Sequence, residues 1–226
     1  DLLLCSDGSG LRLEADGITR DLAGRVEAGD FLSVLDRHWQ ARRLPREEPR
    51  WPFRGGWALL LSYELAQQVE PVLQLPQGES TQPVALALRC PAAVLRDRST
   101  GDCVLVAETG QGDLIAQINQ DTSAAARLPA LPAWQAPGRI DEDEPKHFTD
   151  GVQRILDYLG AGDIFQVNLS RAWRAHFDAP LDPAALYARL RTANPAPFAG
   201  LFATPDWTVV SSSPERLVSV RGEAVE

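Results

Sequence analysis

The 226-residue sequence predicts an α+β fold built on large, mostly antiparallel β-sheets. The first observation is the number of short apolar runs, most of them bounded by Gly, Asp, Ser or Pro. The second is that only a few segments carry apolar residues at helical spacing. The third is that several neighbouring runs are joined by short polar turns, which favours hairpins over parallel crossovers.

The composition is that of an ordinary soluble domain, with 44% hydrophobic and 23% charged residues. No apolar run approaches the ~20 residues that span a bilayer, so we expect no membrane association. Cys5, Cys90 and Cys103 show no metal-binding spacing, which suits reduced thiols and a cytoplasmic location. The net charge of −9 argues against nonspecific binding of nucleic acid.

The N-terminal region is predicted to begin with two short strands, residues 2–5 and 11–14, around a turn rich in Gly, Asp and Ser. Asp30 is expected to cap the first helix. The apolar face of that helix consists of Phe31, Val34, Leu35, His38 and Trp39. Because His38 lies on this face, we interpret it as a packing residue rather than a ligand.

The next elements are strands. Gly55 and Gly56 precede a continuous apolar run at 57–61, which is typical of a central strand. A further strand is predicted at 84–90, and residues 92–107 are predicted to form a hairpin around a polar turn.

Residues 126–148 have the composition of a connector. Four prolines punctuate this stretch, at Pro129, Pro132, Pro137 and Pro145. The acidic run at 141–144 is expected to be a solvated loop, with a divalent cation on its adjacent carboxylates as the alternative. The connector would separate an N-terminal region, residues 1–125, from a C-terminal region, residues 149–226.

The C-terminal region is predicted to begin with a helix that Thr149 and Asp150 cap and that Gly160 and Gly162 end. Its apolar face consists of Val152, Ile155, Leu156 and Leu159. The regular spacing of these residues makes this the most strongly indicated helix of the chain.

Alternating apolar residues predict a long strand over residues 164–177. Its apolar face consists of Phe165, Val167, Leu169, Trp173 and Phe177. The opposite face carries polar residues, among them Gln166 and Asn168. That face is either solvated or lines a cavity with hydrogen-bonding groups, and the residue pattern leaves both interpretations open.

A second helix of this region is predicted to start with Asp182 as its cap and Pro183 at its first position. It is expected to stop at Asn194, which precedes a proline. Two further strands, at 201–203 and 207–211, are predicted to follow across a short turn.

The last segment is predicted to be a tight hairpin with arms at 216–220 and 224–226. A run of three serines leads into it through Pro214 and Glu215. From the residues alone, Glu215 is interpreted as a surface carboxylate that pairs with Arg216 or another neighbour.

The sequence has no Gly-rich phosphate loop, nucleophile elbow, or His and Cys spacing typical of metal sites. Three other segments occur in order after the amphipathic helix: GDIFQVNLSR (162–171), NPAPFAGLF (194–202) and SSSPERL (211–217). Together they closely resemble the chorismate-utilising enzyme family, which contains the large subunits of anthranilate synthase and aminodeoxychorismate synthase. GGWALLLSYELAQQVEP (55–71) is similar to the family's N-terminal region.

The resemblance implies antiparallel sheets packed face to face, with helices on the outside. It also implies that Glu215, in the Ser-Pro-Glu motif, is the general acid that protonates the departing ring hydroxyl of chorismate. Hydroxide is a poor leaving group, and a positioned acid typically contributes about 10²–10⁴-fold to the rate. A carboxyl group keeps its proton near neutral pH only where apolar surroundings disfavour the charged form.

Two further site predictions come from the resemblance. Pro197 and Phe198 resemble the segment that lines a tryptophan site in this family, although the acidic-serine partner motif is absent from this sequence. Asn168 resembles the aminodeoxychorismate synthases, because anthranilate synthases tend to carry an apolar residue there. This favours component I of aminodeoxychorismate synthase, with anthranilate synthase component I as the alternative.

Other features of the family do not occur in the sequence. They are a catalytic lysine in a Pro-Ile-Lys-Gly-Thr motif, the Mg²⁺-binding glutamates and the arginines that hold the carboxylates of chorismate. Lys146, the single lysine, is not a substitute for the missing one. We therefore expect part of a larger enzyme, inactive alone, that uses Mg²⁺ and a glutamine amidotransferase partner. A non-catalytic module for effector binding or partner docking is the alternative of another class.

Overall fold

A computed structural model describes residues 10–14, 17–44, 51–76 and 82–226 of the chain. The chain divides into two compact units, Asp1–Leu128 and Pro129–Glu226. All strand pairs in the described residues are antiparallel, which confirms the predicted α+β class with antiparallel sheets. Among the same residues, no helix has the length and apolar character needed to cross a membrane.

The first unit contains a four-stranded sheet. Its strands are β1 (Leu11–Leu13), β2 (Thr19–Asp21), β3 (Gly56–Leu61) and β4 (Ala85–Cys90). The order is β2–β1–β4–β3, so β1 and β4 are the inner strands. The predictions of strands at 11–14 and 84–90 are confirmed, whereas the predicted strand at 2–5 lies outside the described residues.

Helix α1 (Phe31–Ala41) supplies the core of this unit together with the inner strands. Phe31 and Val34 are fully buried, in one cluster with Leu11 and Ala85. Alternate residues of β1 and β4 face the helix because side chains point to opposite sides along a strand. Asp30 caps α1 as predicted, accepting a hydrogen bond from the Ser33 amide at 2.8 Å.

The strand predicted at 57–61 is present as β3, but its predicted central position is wrong for the described sheet. There β3 is an edge strand that pairs with β4. Leu59 and Leu61 are consequently about half exposed. An unbroken apolar run indicates a strand that can be covered on both faces, but it does not specify which neighbours cover it.

A buried ion pair holds the start of β3. The Arg89 side chain, 4% exposed, pairs with Glu108 and donates a hydrogen bond to the Gly56 carbonyl at 2.9 Å. Its guanidinium also lies 5.6 Å from the centre of the Trp57 ring. A side chain at Gly55 would collide with Glu108, and Gly55 has a φ of 107°, so glycine is required there. These contacts satisfy most of the polar groups that burial would otherwise leave unpaired.

The remaining elements of the first unit follow these strands in the chain. A 3-10 turn (Tyr63–Leu65) runs into the short helix α2 (Ala66–Val69) after β3. The hairpin predicted over 92–107 is confirmed as β5 (Ala92–Arg96) and β6 (Cys103–Ala107). Helix α3 (Gly112–Ala125) was not anticipated, because its first residues carry no side-chain cap and most of its surface is polar.

The second unit contains a strand pair that the sequence did not predict. β7 (Arg139–Glu142) pairs with β8 (Trp173–His176). The prediction of a solvated loop at 141–144 is therefore wrong, since its first two residues lie in β7. Basic side chains on and next to β8 face the acidic run, and local composition cannot reveal a partner about thirty residues away.

Helix α4 (Pro145–Ala161) begins before its predicted cap. Pro145 occupies the first position, where its missing N–H costs no hydrogen bond. Thr149 lies inside the first turns and donates its hydroxyl hydrogen to the Lys146 carbonyl. The end of the helix is as predicted, with Gly162 in the left-handed conformation at a φ of 81°.

The strand predicted over 164–177 is confirmed in its last part alone, as β8. Residues 164–172 form no helix or strand, and Phe165 is fully exposed. Side-chain alternation shows which residues would share a face, but a strand also needs a hydrogen-bonded neighbour. The described residues supply that neighbour for β8 through β7.

The unit continues with α5 (Pro183–Ala193), β9 (Phe198–Ala203) and β10 (Thr208–Ser213). Asp182 caps α5 and Asn194 ends it, both as predicted. The helix packs against the hairpin of β9 and β10. A second hairpin, β11 (Val220–Arg221) with β12 (Ala224–Val225), has shorter arms than predicted and turns at Gly222 with a φ of 63°.

Candidate functional site

Glu215 lies in the link between β10 and β11, residues 214–219. Its side chain is exposed, and its carboxylate makes no hydrogen bond or ion pair within the described part of the chain. Arg216 pairs with Glu226 rather than with Glu215, so the surface ion pair considered for Glu215 does not form with Arg216. The carboxyl group of Glu215 is thus available to a ligand.

The main chain on either side of Glu215 is held by side chains. Ser213 donates a hydrogen bond from its hydroxyl to the Glu215 carbonyl at 3.2 Å. The Arg216 guanidinium lies 5.9 Å from the centre of the Phe198 ring, within the range of a cation–π contact. Its Nη2 also donates to Oε2 of Glu226 at 3.4 Å.

The residues predicted for a tryptophan-type pocket lie next to this link. Phe198 opens β9 and is the register partner of Ser213 at the end of β10. The Ser212 hydroxyl donates to the Asn194 carbonyl at 2.6 Å, which ties segment 194–198 to β10. Pro197 and Phe198 are exposed. One hairpin therefore brings together two sets of residues that the sequence suggested separately, and a role of either in tryptophan binding stays a prediction.

Gln166 and Asn168 are exposed and lie in the irregular segment 164–172. The residues that follow them in the chain line a polar cavity of about 310 Å³. It is lined by Asp143, Glu144, His147, Phe148, Leu169, Ser170 and Arg171. Gln166 and Asn168 are not among these lining residues, and the prediction that they line a cavity stays a prediction.

The acidic run of β7 meets basic side chains from the segment that contains β8. The side-chain contacts are Asp141 with His176 at 2.9 Å, Glu142 with Arg171 at 3.0 Å, and Asp143 with Arg174 at 3.3 Å. The pKa of Asp143 is lowered, because its carboxylate accepts a hydrogen bond from the Ala172 amide and also faces the Arg174 guanidinium. These carboxylates therefore help to hold β7 and β8 together.

A metal ion finds no ready site in the part of the chain that the structure describes. No three or more His, Cys, Asp or Glu side chains are grouped there in a way that could hold one. Lys146, for its part, forms an ion pair with Asp150 one turn along α4 at 2.6 Å. The predicted use of Mg²⁺ stays a prediction.

Ser212 and Arg216 are the residues near Glu215 whose contacts the sequence did not reveal. Both lie inside the motif segment SSSPERL, so the sequence places them near Glu215 but does not indicate their contacts. Their partners, Asn194 and Phe198, are 18 residues away from them in the chain. The register between β9 and β10 places Phe198 opposite Ser213 and so brings the two segments close together.

The fold and this arrangement define a class of protein. It is an antiparallel α+β protein in which a Ser-Pro-Glu segment follows the second strand of a hairpin, next to an exposed aromatic residue at the start of the first strand. The family described as chorismate binding enzyme matches residues 11–226, which is nearly the whole chain. The chain belongs to this family. The resemblance of its three motif segments is thereby confirmed.

Relatives of two kinds match the chain over most of its length. It is 31% identical over 216 residues to anthranilate synthase component 1 of Thermus thermophilus, covering 93% of this chain and 46% of that relative. It is 27% identical over 228 residues to aminodeoxychorismate synthase component 1 of Bacillus subtilis, covering 93% of this chain and 47% of the relative. Similarity alone does not separate the two kinds.

A solved structure shares the fold. The crystal structure of anthranilate synthase component I from Streptococcus pneumoniae TIGR4 superposes with a TM-score of 0.76 at 22% sequence identity. The match covers 96% of this chain and 50% of that chain. The chain thus spans about half the length of the relatives it matches.

Proposed function

We propose that the chain is part of component I of an aminodeoxychorismate synthase. Such an enzyme replaces the ring hydroxyl of chorismate with ammonia, giving 4-amino-4-deoxychorismate for the synthesis of 4-aminobenzoate and folate. The Ser-Pro-Glu segment carries the proposal, since it presents an unpaired carboxyl group at Glu215 beside residues that the family resemblance assigns to a ligand site. Asn168 supports the aminodeoxychorismate branch.

Glu215 is the proposed general acid. Because its side chain is exposed in the described residues, the apolar surroundings that such an acid needs would be supplied by the bound substrate and the rest of the enzyme. Its proton would pass to the ring oxygen as the carbon–oxygen bond breaks, so that water leaves instead of hydroxide. Pro214 fixes φ just before Glu215, and Ser213 binds the Glu215 carbonyl, so the main chain that carries the acid is restrained. A restrained acid loses less conformational entropy when it meets the substrate.

The proposal includes partners that the described residues do not themselves provide. Ammonia would come from glutamine through an amidotransferase subunit. Mg²⁺ is expected in the whole enzyme, although the described residues offer no cluster of ligands for it. Tryptophan, held against Pro197 and Phe198, is the proposed effector or structural ligand.

Product identification tests the assignment. The full-length protein that contains this chain would be incubated with chorismate, Mg²⁺ and ammonium, and the products separated by liquid chromatography with mass detection. We expect 4-amino-4-deoxychorismate. Fluorescent anthranilate would overturn the aminodeoxychorismate assignment, and unchanged chorismate would favour a non-catalytic module.

Replacing the proposed acid gives the first specific prediction. Glu215→Gln removes the transferable proton while keeping the shape of the side chain, and we expect kcat to fall about 10²–10⁴-fold with little change in KM. Glu223→Gln is the matched control, because Glu223 is an exposed glutamate at the turn of the neighbouring hairpin. Steady-state kinetics on both variants decide the matter. Wild-type turnover in Glu215→Gln would remove this residue from the mechanism.

Anthranilate synthase component I is the second candidate. The observation that favours it is the similarity to the Thermus thermophilus anthranilate synthase component, at 31% identity against 27% for the Bacillus subtilis aminodeoxychorismate synthase component. Both enzymes would use Glu215 in the same step, so the kinetic test above holds for either. The identity of the product separates them.

A further inference from the structure

Arg216 connects the two hairpins that flank Glu215. Its side chain begins in the middle of link 214–219, reaches the Phe198 ring at the start of β9 and pairs with Glu226 just after β12. Phe198 is paired with the last residue of β10, and Glu226 exchanges two main-chain hydrogen bonds with Ser219, the last residue of the link. Arg216 therefore touches the structure that precedes the link and the structure that follows it.

The main chain is restrained on both sides of Glu215. On its N-terminal side, the main chain of Glu215 is restrained by Pro214 and by the Ser213 hydroxyl. On the C-terminal side of Glu215, the side chain of Arg216 contacts Phe198 and Glu226. These two contacts connect the link to the hairpin before it and to the hairpin after it. The Glu215 carboxylate stays unpaired within the described residues, so the restraint acts on its backbone.

Arginine suits this bridging role better than lysine. A guanidinium is flat, so its face can lie over an aromatic ring while an N–H at its edge donates to a carboxylate. A lysine ammonium can meet the ring or the carboxylate, but it is a compact charge without a flat face. The Arg216 side chain is 45% exposed, so its replacement removes a bridge without opening a cavity in the core.

We propose that Arg216 is a positioning residue that fixes the place of Glu215 by bracing link 214–219 between Phe198 and Glu226. The inference rests on the proposed role of Glu215 as general acid. Arg216 itself touches no reacting atom. Its effect is on how often the Glu215 carboxyl group is held where the substrate needs it.

The expected signature is a loss of turnover without a loss of substrate affinity. In the full-length protein with chorismate, Mg²⁺ and ammonium, Arg216→Met is expected to lower kcat about 10- to 100-fold, the size of effect that a misplaced catalytic group produces. KM is expected to change by less than about twofold, because ground-state binding is not involved. Arg216→Lys is expected to recover part of the rate.

Phe198→Leu provides an independent arm, assayed without tryptophan. It removes the ring that the guanidinium covers, and it should lower kcat in the same direction as Arg216→Met. If the two residues act through one contact, the double variant is no slower than the slower single variant. Effects that multiply would overturn the bracing contact with Phe198.

Arg221→Met is the matched control, because Arg221 is an exposed arginine in β11. It should leave kcat unchanged, and thermal unfolding should show that all variants remain folded. Wild-type kcat in Arg216→Met, together with a slow Glu215→Gln, overturns the inference while the proposed function stands. A wild-type protein that leaves chorismate unchanged overturns the proposed function first and the inference with it.

Discussion

Arg171 shows how one side chain can connect several elements of the second unit. Its Nη2 donates to Glu142 of β7 at 3.0 Å, and its guanidinium lies 4.2 Å from the centre of the Trp173 ring. The Phe148 ring of α4 is 5.8 Å away. The guanidinium is mostly covered by these groups, so water and salt screen its attraction to the carboxylate and the rings less than they would at an exposed site.

Arg174 is the natural comparison, because it faces the same acidic run with one weaker contact. Its side chain is 66% exposed, against 26% for Arg171, and it pairs with Asp143 at 3.3 Å. Arg171→Ala should lower the free energy of unfolding by about 2 kcal/mol, from the lost ring contacts and ion pair. Arg174→Ala should cost about 0–1 kcal/mol, as exposed ion pairs do. Urea unfolding of both variants measures the difference, and equal losses would contradict the argument.

At the scale of elements, α1 is stabilised by an N-cap that the sequence predicts. Asp30 accepts hydrogen bonds from the amide and the hydroxyl of Ser33, at 2.8 and 3.0 Å. These bonds lower the pKa of Asp30, with the Ser33 amide as the largest cause. The cap helps to align α1, whose residues Phe31 and Val34 are buried against the sheet.

Asp30→Ala should lower the free energy of unfolding at neutral pH by about 1 kcal/mol, the usual loss for an N-cap. The folded-state pKa lies below the ordinary value of 3.8, so this stabilisation is present above 3.8 and is lost as pH falls through the lowered pKa. Wild type and variant should therefore converge in acid. Thermal unfolding across this range provides the measurement.

The control for the cap is Asp36→Ala in the same helix, where the aspartate is not at an N-terminus. It should change the free energy of unfolding by less than about 0.5 kcal/mol, since alanine favours helix slightly. A pH-independent gap between wild type and Asp30→Ala would mean that the charge of the cap contributes nothing.

The pairing of β7 with β8 shows a limit of local patterns at the element scale. Four adjacent acidic residues beside prolines predict a loop, because such residues repel one another and rarely form strands. Arg171 and Arg174 reverse that expectation by placing positive charge beside Glu142 and Asp143, and the His176 ring contacts Asp141. Opposite charges on facing strands stabilise a pairing that neither segment favours alone.

At the scale of the whole molecule, the chain consists of two compact units that meet in sequence at 128 and 129. Residues 126–138 around this boundary form no helix or strand and are almost all exposed. Each unit keeps its own hydrogen-bonded hairpins and helices. Exposed and irregular chain between compact units is the usual place of first proteolytic cleavage.

Brief digestion with a protease of low specificity should therefore cut within 126–138 before it cuts the strands of either unit. Mass spectrometry of the early products should show the two complementary pieces. Digestion in denaturant, where all bonds are equally accessible, is the control for sequence preference. Early cleavage inside β4 or β9 would show that the units are less compact than described.

Large apolar side chains remain in contact with solvent in the second unit. Phe165 and Leu217 are 100% and 99% exposed, and the apolar face of α4 contains no buried residue. The alternation that predicted a strand over 164–177 and the spacing that predicted the α4 face indicate which apolar residues would lie on the same side of an element. They could not say whether the described chain supplies a surface to cover them.

The sequence by itself determined the features that neighbouring residues decide. These are the caps at Asp30 and Asp182, the stop at Gly162, the hairpin turns and the motif segments that identify the family, because each rests on a backbone preference or hydrogen bond within a few residues. Tertiary structure alone decided the edge position of β3, the pairing of β7 with β8, and the contact of Arg216 with Phe198. Those contacts join segments far apart in the chain, and their energies depend on burial and opposite charge that exist only once the segments have met.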